Sequence, residues 1–296
     1  MLSRMLRAVL LSQALIGALL GWLIARSVGW SNWLALASAV LLPLATMKLS
    51  ILATALMSRS PGAPALWWRS LVGENLATAR VLFLQLPWSW SAPMFKPAIG
   101  ASSRVPVVLV HGYLCNHRIW DALGERLRRG GHPVQEVDLE PVFTSIENYV
   151  PLVNQAVESL RRQTGAAHVA LVGHSMGGLA IRAWMRVHGT EHVARVLTLG
   201  TPHQGTRIVH PYSTPNGRQM VWQSDWLREL AASEPASTRK LMRIALTPQD
   251  NIVFPQREQG LQGVPVSEFE GLGHVELCTD RAVANWVLEQ LGDLPF

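Results

Sequence analysis

Charged and apolar positions divide this chain into two regimes. Residues 8–25 and 27–47 carry no charged side chain. A helix that crosses the hydrocarbon core of a bilayer needs about 17–25 mostly apolar residues. The pattern therefore predicts two apolar helices, one over 8–25 and one from about 33 to 57. Arg26 ends the first run, and Pro43 and Lys48 interrupt the second. Residues 59–103 read as a connector, with a loop at 60–64 and a short amphipathic helix over 71–86. The organisation expected is thus a membrane segment over 1–58, a connector over 59–103 and a folded domain over 104–296.

From residue 104 the period changes. Short apolar runs at 105–110, 134–139, 167–172, 193–199, 241–246 and 266–269 read as strands. Runs with helical spacing at 119–127, 146–160, 179–185 and 282–291 lie between or after them. Several of the strands are apolar on consecutive positions, the signature of burial on both faces. Strands alternating with helices predict a mostly parallel sheet flanked by helices. In such sheets the functional loops sit at the carboxyl ends of the strands.

Composition sharpens the first regime. The chain is 49% hydrophobic and 16% charged, with a formal net charge of +6. The basic residues form no dense cluster with interleaved aromatics, so nucleic acid is not expected as a partner. Arg4, Arg7 and Arg26 beside apolar spans fit an anionic membrane surface, although ordinary surface charge gives the same count. Trp22, Trp30 and Trp33 cluster near the joint between the spans, as in an interfacial belt. Trp67, Trp68, Trp88 and Trp90 are expected either at the membrane surface or packed on the domain over 104–296. A cleaved signal peptide is the competing reading of residues 1–25, but its apolar core would be unusually long, and a second span follows at once. A buried pair of soluble helices is the remaining alternative. The positive-inside rule places both ends of the hairpin in the cytoplasm. Cys115 and Cys278 fit no metal motif and are expected as free thiols, with a disulfide between them as the alternative.

The chemistry centres on Gly173-His174-Ser175-Met176-Gly177. It lies between a predicted strand and a predicted helix, the context that makes Gly-x-Ser-x-Gly a nucleophile elbow. The glycines clear space around a strained turn that lifts the Ser175 hydroxyl above the sheet. A serine hydroxyl needs a base within reach, and the base needs an orienting acid. His274, in a glycine-rich turn after the last strand, is the expected base, with His111, His174, His203 and His210 as rivals. Asp250, directly after a strand, is the expected acid. Glu268 and Glu270 are its main rivals, while Asp225, Glu229 and Glu234 read as the solvated face of a helix. Two backbone amides must face the developing oxyanion. Met176 supplies one. The loop His111-Gly112-Tyr113-Leu114 supplies the other, through Tyr113 or, as the alternative, Leu114.

Several segments together carry a resemblance. They are Val108-Leu109-Val110-His111-Gly112, Gly173-His174-Ser175-Met176-Gly177-Gly178, Thr201-Pro202-His203-Gln204-Gly205-Thr206, Asp250 and Gly273-His274. This set resembles bacterial lipases of the α/β-hydrolase family over roughly residues 104–296. The resemblance implies an α/β-hydrolase fold, a triad of Ser175, Asp250 and His274, and an oxyanion hole from Tyr113 and Met176. It also implies carboxylic esters, especially acyl lipids, as substrates; with the two apolar spans, the expected location is a bacterial inner membrane. No cofactor or metal is expected. The stretch from His203 to Trp226 is short for a large lid. The expectation is therefore a membrane-anchored serine hydrolase. An acyltransferase or thioesterase using the same triad, or a non-enzymatic membrane scaffold, stands as the alternative.

Overall fold

The computed structural model describes residues 1–296 apart from 60–61, 101–103, 211–212, 293 and 295–296. Helices α1 (Leu2–Val28) and α2 (Trp33–Met57) pack as an antiparallel hairpin. Gly29 turns the chain at φ 76°. Small residues let the two backbones approach: a Cβ on Gly17 would stand 2.3 Å from the Ser38 carbonyl oxygen. Gln13 donates to the Thr46 hydroxyl across the pair at 3.2 Å. The outward faces are apolar and exposed, with Leu11, Leu15, Leu19 and Leu41 all more than half accessible. The first helix starts at Leu2, earlier than the apolar run alone predicts. Its opening turn is seated on the rest of the molecule: Leu2 is buried, the Met1 amino group reaches Glu140 at 2.6 Å, and Ser3 donates to the Leu86 carbonyl at 2.9 Å.

Helix α3 (Pro64–Ala79) continues into a π-helical turn, Arg80–Gln85. It also starts earlier than predicted, because Pro64 occupies the first helical position, where its missing N–H costs nothing. Of the loop expected over 60–64, Ser60 and Pro61 lie outside the described residues. The helix is inverted relative to a soluble amphipathic helix. Ser70, Glu74, Ala77 and Val81 face inward and are buried, whereas Trp68, Val72, Leu76 and Leu84 are exposed. The tryptophans divide accordingly. Trp68 and Trp90 are exposed, and Trp67 donates its indole N–H to the Ala55 carbonyl of α2.

The remainder alternates strand and helix. Strand β1 (Phe95–Lys96) is followed by β2 (Val107–Val110), α4 (Asp121–Arg129), β3 (Val134–Val137) and α5 (Val150–Thr164). Then come β4 (Val169–His174), α6 (Met176–His188) and β5 (Val193–Leu199). Three short helices follow, α7 (Pro215–Gln219), α8 (Asp225–Ala232) and α9 (Ala236–Lys240). The chain closes with β6 (Met242–Leu246), β7 (Val266–Glu268) and α10 (Arg281–Gly292). The strands form one seven-stranded sheet in the order β1-β3-β2-β4-β5-β6-β7. Only the β1 edge pairs antiparallel.

Alternate side chains of each central strand point to opposite faces, and this builds two cores. Val108, Val110 and Leu171 pack under α5 and α6, while Val107, Leu109 and Val172 pack under α4 and α10. Burial on both faces explains why β2, and β4 from Val169 to Val172, are apolar at every position. Complete burial of each such side chain contributes about 1.5–3 kcal/mol.

The hairpin and α3 meet the sheet at the carboxyl ends of its strands. Asn251, after β6, donates to Thr54 of α2 at 3.0 Å, and Gln256 donates to the Ser58 carbonyl at 2.8 Å. Arg69 of α3 donates to the Gly271 carbonyl, after β7.

Candidate active site

Ser175 sits between β4 and α6 at φ 52°, ψ −127°. A non-glycine residue at positive φ is strained, and the surroundings hold it there. The Ser175 amide donates to the Leu199 carbonyl at 2.9 Å. A Cβ on Gly177 would lie 2.1 Å from the Val110 carbonyl oxygen, so only glycine allows the turn to press against β2. Ser175 retains 8% exposure.

Asp250 follows β6 and is 2% exposed. One oxygen, Oδ1, accepts the Ile252 and Val253 amides at 2.8 and 2.7 Å. The other, Oδ2, accepts the His274 Nδ1–H at 2.8 Å. That bond fixes the tautomer, leaving Nε2 with its lone pair. The His274 amide donates to Asn251 Oδ1 at 3.2 Å, tying the His274 loop to the Asp250 loop. His174, the residue before Ser175, donates Nε2–H to the His274 carbonyl at 3.2 Å, and the two imidazoles lie 4.7 Å apart. The structure thus brings Asp250, His274 and the elbow together. Burial acts to lower the His274 pKa, but the Asp250 carboxylate outweighs it and, with a further contribution from Glu74, raises the pKa above the ordinary histidine value.

The loop after β2 lies against the elbow. A Cβ on Gly112 would stand 2.7 Å from that of Ser175. Tyr113 is half-buried, its ring edge-on to Phe143 at 6.0 Å. Its amide donates to no group among the described residues. Met176 is the first residue of α6, where an amide has no partner inside the helix. Leu114 takes φ 54° and is 40% exposed.

The rival side chains have other occupations. His111 donates from Nδ1 to the Gly112 carbonyl at 2.8 Å and accepts the Leu139 amide at Nε2 at 3.0 Å. Burial, then the His274 charge, hold His174 well below the ordinary histidine pKa. His203 is buried between Thr198, at 3.0 Å, and Arg182. His210 is exposed. Glu268 and Glu270 face Arg257 on the surface. Asp225 and Glu229 are exposed on α8, as expected. Glu234 is a correction. It lies beyond the end of α8, its side chain 4% exposed, and pairs with the fully buried Arg182 of α6 at 2.5 Å. The helix stops before it, so its side chain turns inward to a cation that sequence periodicity does not reveal.

Of the stretch from His203 to Trp226, residues 211–212 lie outside the described residues, and its two ends are tied together. Thr206 pairs with Val221, Gln223 donates to the Gln204 carbonyl at 2.7 Å, and the Thr206 hydroxyl donates to the Ile252 carbonyl of the Asp250 loop. Cys115 and Cys278 are free thiols. Burial pushes Cys115 up to about 12 and Cys278 well above its usual value, so neither is a thiolate nucleophile. No cluster of three or more metal-ligating side chains occurs among the described residues.

One functional candidate escaped the sequence reading. Glu74 of α3 is buried against the His274 loop and accepts the Val275 and Glu276 amides. It is the only carboxylate residue in positions 1–120, and that isolation is the signal that marks it.

Comparison with known proteins places the chain in a family and a fold. The family model described as palmitoyl protein thioesterase matches residues 106–256, just over half of the chain. That span includes Ser175 and Asp250 and stops short of His274. A triacylglycerol lipase of Pseudarthrobacter phenanthrenivorans is 31% identical over 120 residues, covering 36% of each protein. One from Vibrio cholerae is 34% identical over 111 residues, covering 36% of this chain and 35% of the lipase. The chain thus spans about a third of the length of these curated relatives. Among solved structures, a mature Bacillus licheniformis lipase superposes with a TM-score of 0.58 at 16% identity, covering 67% of this chain and 97% of the lipase. Aspergillus fumigatus lipase B gives 0.53 at 16% identity, covering 68% and 56%. At such identities the superpositions concern the fold. The chain belongs to the palmitoyl protein thioesterase family and has the lipase- and esterase-like α/β-hydrolase fold.

Proposed function

We propose that this protein is a membrane-anchored serine hydrolase that cleaves carboxylic esters of acyl lipids. The observation that carries the reading is the Asp250–His274 pair beside the strained Ser175 elbow. In this mechanism the Ser175 hydroxyl attacks the acyl carbonyl as His274 Nε2 takes its proton. The Met176 and Tyr113 amides receive the oxyanion. The imidazolium, stabilised by Asp250, returns the proton to the leaving alcohol. Water activated by the same histidine then hydrolyses the acyl-enzyme.

Membrane anchoring is supported by the hairpin and by α3. Both hairpin helices are long and apolar enough to span a bilayer, and only 17% and 22% of their most apolar windows is buried. A soluble helical pair of that composition would bury most of its apolar surface. The inverted α3, with Trp68, Val72 and Leu76 exposed, gives a second apolar surface on a helix that adjoins α2 through Trp67 and Ala55. Because α2 and α3 adjoin the acid and base loops, the bilayer lies on the catalytic side of the sheet. This placement is what favours acyl lipids over water-soluble esters.

A second reading changes only the leaving group. The family match favours an acyl thioester, whose cleavage passes through the same acyl-enzyme. Turnover of a short-chain nitrophenyl ester by the wild type and by Ser175→Ala tests the nucleophile; unchanged turnover in the variant removes it. Comparing kcat/KM for matched long-chain oxygen esters and thioesters decides between the two leaving groups.

A further inference from the structure

Glu74 reaches the candidate base from outside the catalytic domain. Its side chain leaves the inward face of α3 and enters the turn that carries His274. Its Oε2 accepts the Val275 amide at 2.9 Å and the Glu276 amide at 3.1 Å, on the residues directly after the histidine. The turn closes over the carboxylate so tightly that a Cβ on Gly273 would stand 2.4 Å from Oε2. The carboxylate is 2% exposed. A buried carboxylate is costly unless it is hydrogen-bonded or faces a cation. Two amides supply the first condition, and His274 in its protonated form supplies the second.

The charges around this pair come from several elements. Asp250, from the loop after β6, and Glu74, from α3, both act on His274 to favour its charged form. His174, from β4, faces the same ring and is held neutral by burial. Glu276, in the base turn, bonds the Gly273 amide and feels Arg69 of α3. The Cys278 thiol, buried on the Glu74 side, is kept protonated. Burial pushes the Glu74 carboxyl up to about 7, against the pull of His274 and of the two amides.

We propose that Glu74 is a positioning residue for His274. It clamps the base turn to α3 and presents a second carboxylate to the imidazolium formed when Ser175 gives up its proton. This rests on the assignment of His274 as the general base. It joins the membrane segment to the chemistry, because α3 follows α2 after a short link and contacts it through Trp67 and Ala55. Seating of the anchor thereby sets the geometry of the base turn.

The test uses the full-length protein in detergent, with kcat and KM for a short-chain nitrophenyl ester measured from about pH 5 to 9. Glu74→Gln keeps one acceptor oxygen and removes the charge. The acidic limb of kcat/KM, which reports the free-enzyme base, moves to lower pH by at least about half a unit. The variant loses about 3- to 30-fold in kcat, with KM within about twofold of wild type. Glu74→Asp keeps the charge and leaves the limb in place while lowering kcat. An acidic limb unmoved in Glu74→Gln overturns the proposal, whatever happens to the rate, because a purely structural clamp predicts that result. If Glu74→Gln does not fold, Glu74→Asp carries the test, and a limb displaced by half a unit or more in it overturns the proposal. A His274→Ala variant separates the two claims: wild-type turnover there removes the base assignment itself, and a loss of at least about 100-fold retains it.

Discussion

Asp250 Oδ2 lies 2.8 Å from His274 Nδ1, while Oδ1 of the same carboxylate takes two amides of its own loop. Asp250 is thereby fixed from one side and orients the imidazole from the other. Asp250→Asn preserves the shape but presents an amide N–H or an uncharged oxygen to Nδ1. The ring then loses its enforced tautomer and its counter-charge. Ester hydrolysis is expected to fall about 10²- to 10⁴-fold in kcat with KM little changed. Steady-state kinetics on the folded variant checks this.

The raised pKa of His274 makes a pH prediction. The base works only when neutral, so kcat/KM is lost as pH falls through a midpoint above the unperturbed value of about 6.5. A midpoint below 6 contradicts the electrostatic account. Stability carries a linked sign. The Glu74 pKa rises from 4.5 to about 7 on folding. Its contribution is therefore fully present below about 4.5 and is lost as pH rises through about 7. Thermal melts of wild type and Glu74→Gln are expected to diverge from pH 5 to 8, with the variant gaining on the wild type.

Much of the catalytic half was legible because its physics is local. Residues 193–199 read as a strand and form β5, whose apolar positions Val193, Val196, Leu197 and Leu199 are all buried. The elbow was legible because Gly177 has no alternative against the Val110 carbonyl. What escaped depends on tertiary partners. Strand β1 has only two residues, Phe95 and Lys96, too few to show a period. Arg182 and Glu234 find each other across 52 positions. Helix α3 starts earlier than its periodicity predicts and buries Ser70 and Glu74, because a polar residue is assumed to face water and here the solvent-side face is apolar. Glu74 was passed over for the same reason.

The buried Arg182–Glu234 pair is expected to be a stability determinant. Arg182→Met removes the cation and leaves Glu234 buried, with Arg239 3.4 Å away as its remaining partner. Breaking such a pair costs about 3–5 kcal/mol. At about 2–4 °C per kcal/mol for a domain of this size, the melting temperature is expected to drop by at least about 6 °C. Pairing Arg182→Met with Glu234→Leu is expected to recover most of that loss.

Topology is open to a direct measurement. With both ends of the hairpin in the cytoplasm, alkaline phosphatase fused after Phe296 is expected to be inactive, and a cytoplasmic reporter at the same point active. High phosphatase activity places the catalytic domain on the opposite face of the membrane.

The central claim is that Ser175 is a nucleophile activated by His274. The most direct measurement is mass analysis of the protein after reaction with a fluorophosphonate. The account predicts a single adduct, mapped to the peptide containing Ser175, absent from Ser175→Ala and strongly slowed in His274→Ala. Labelling of Ser175→Ala at the wild-type rate, or an adduct on any other residue, contradicts it.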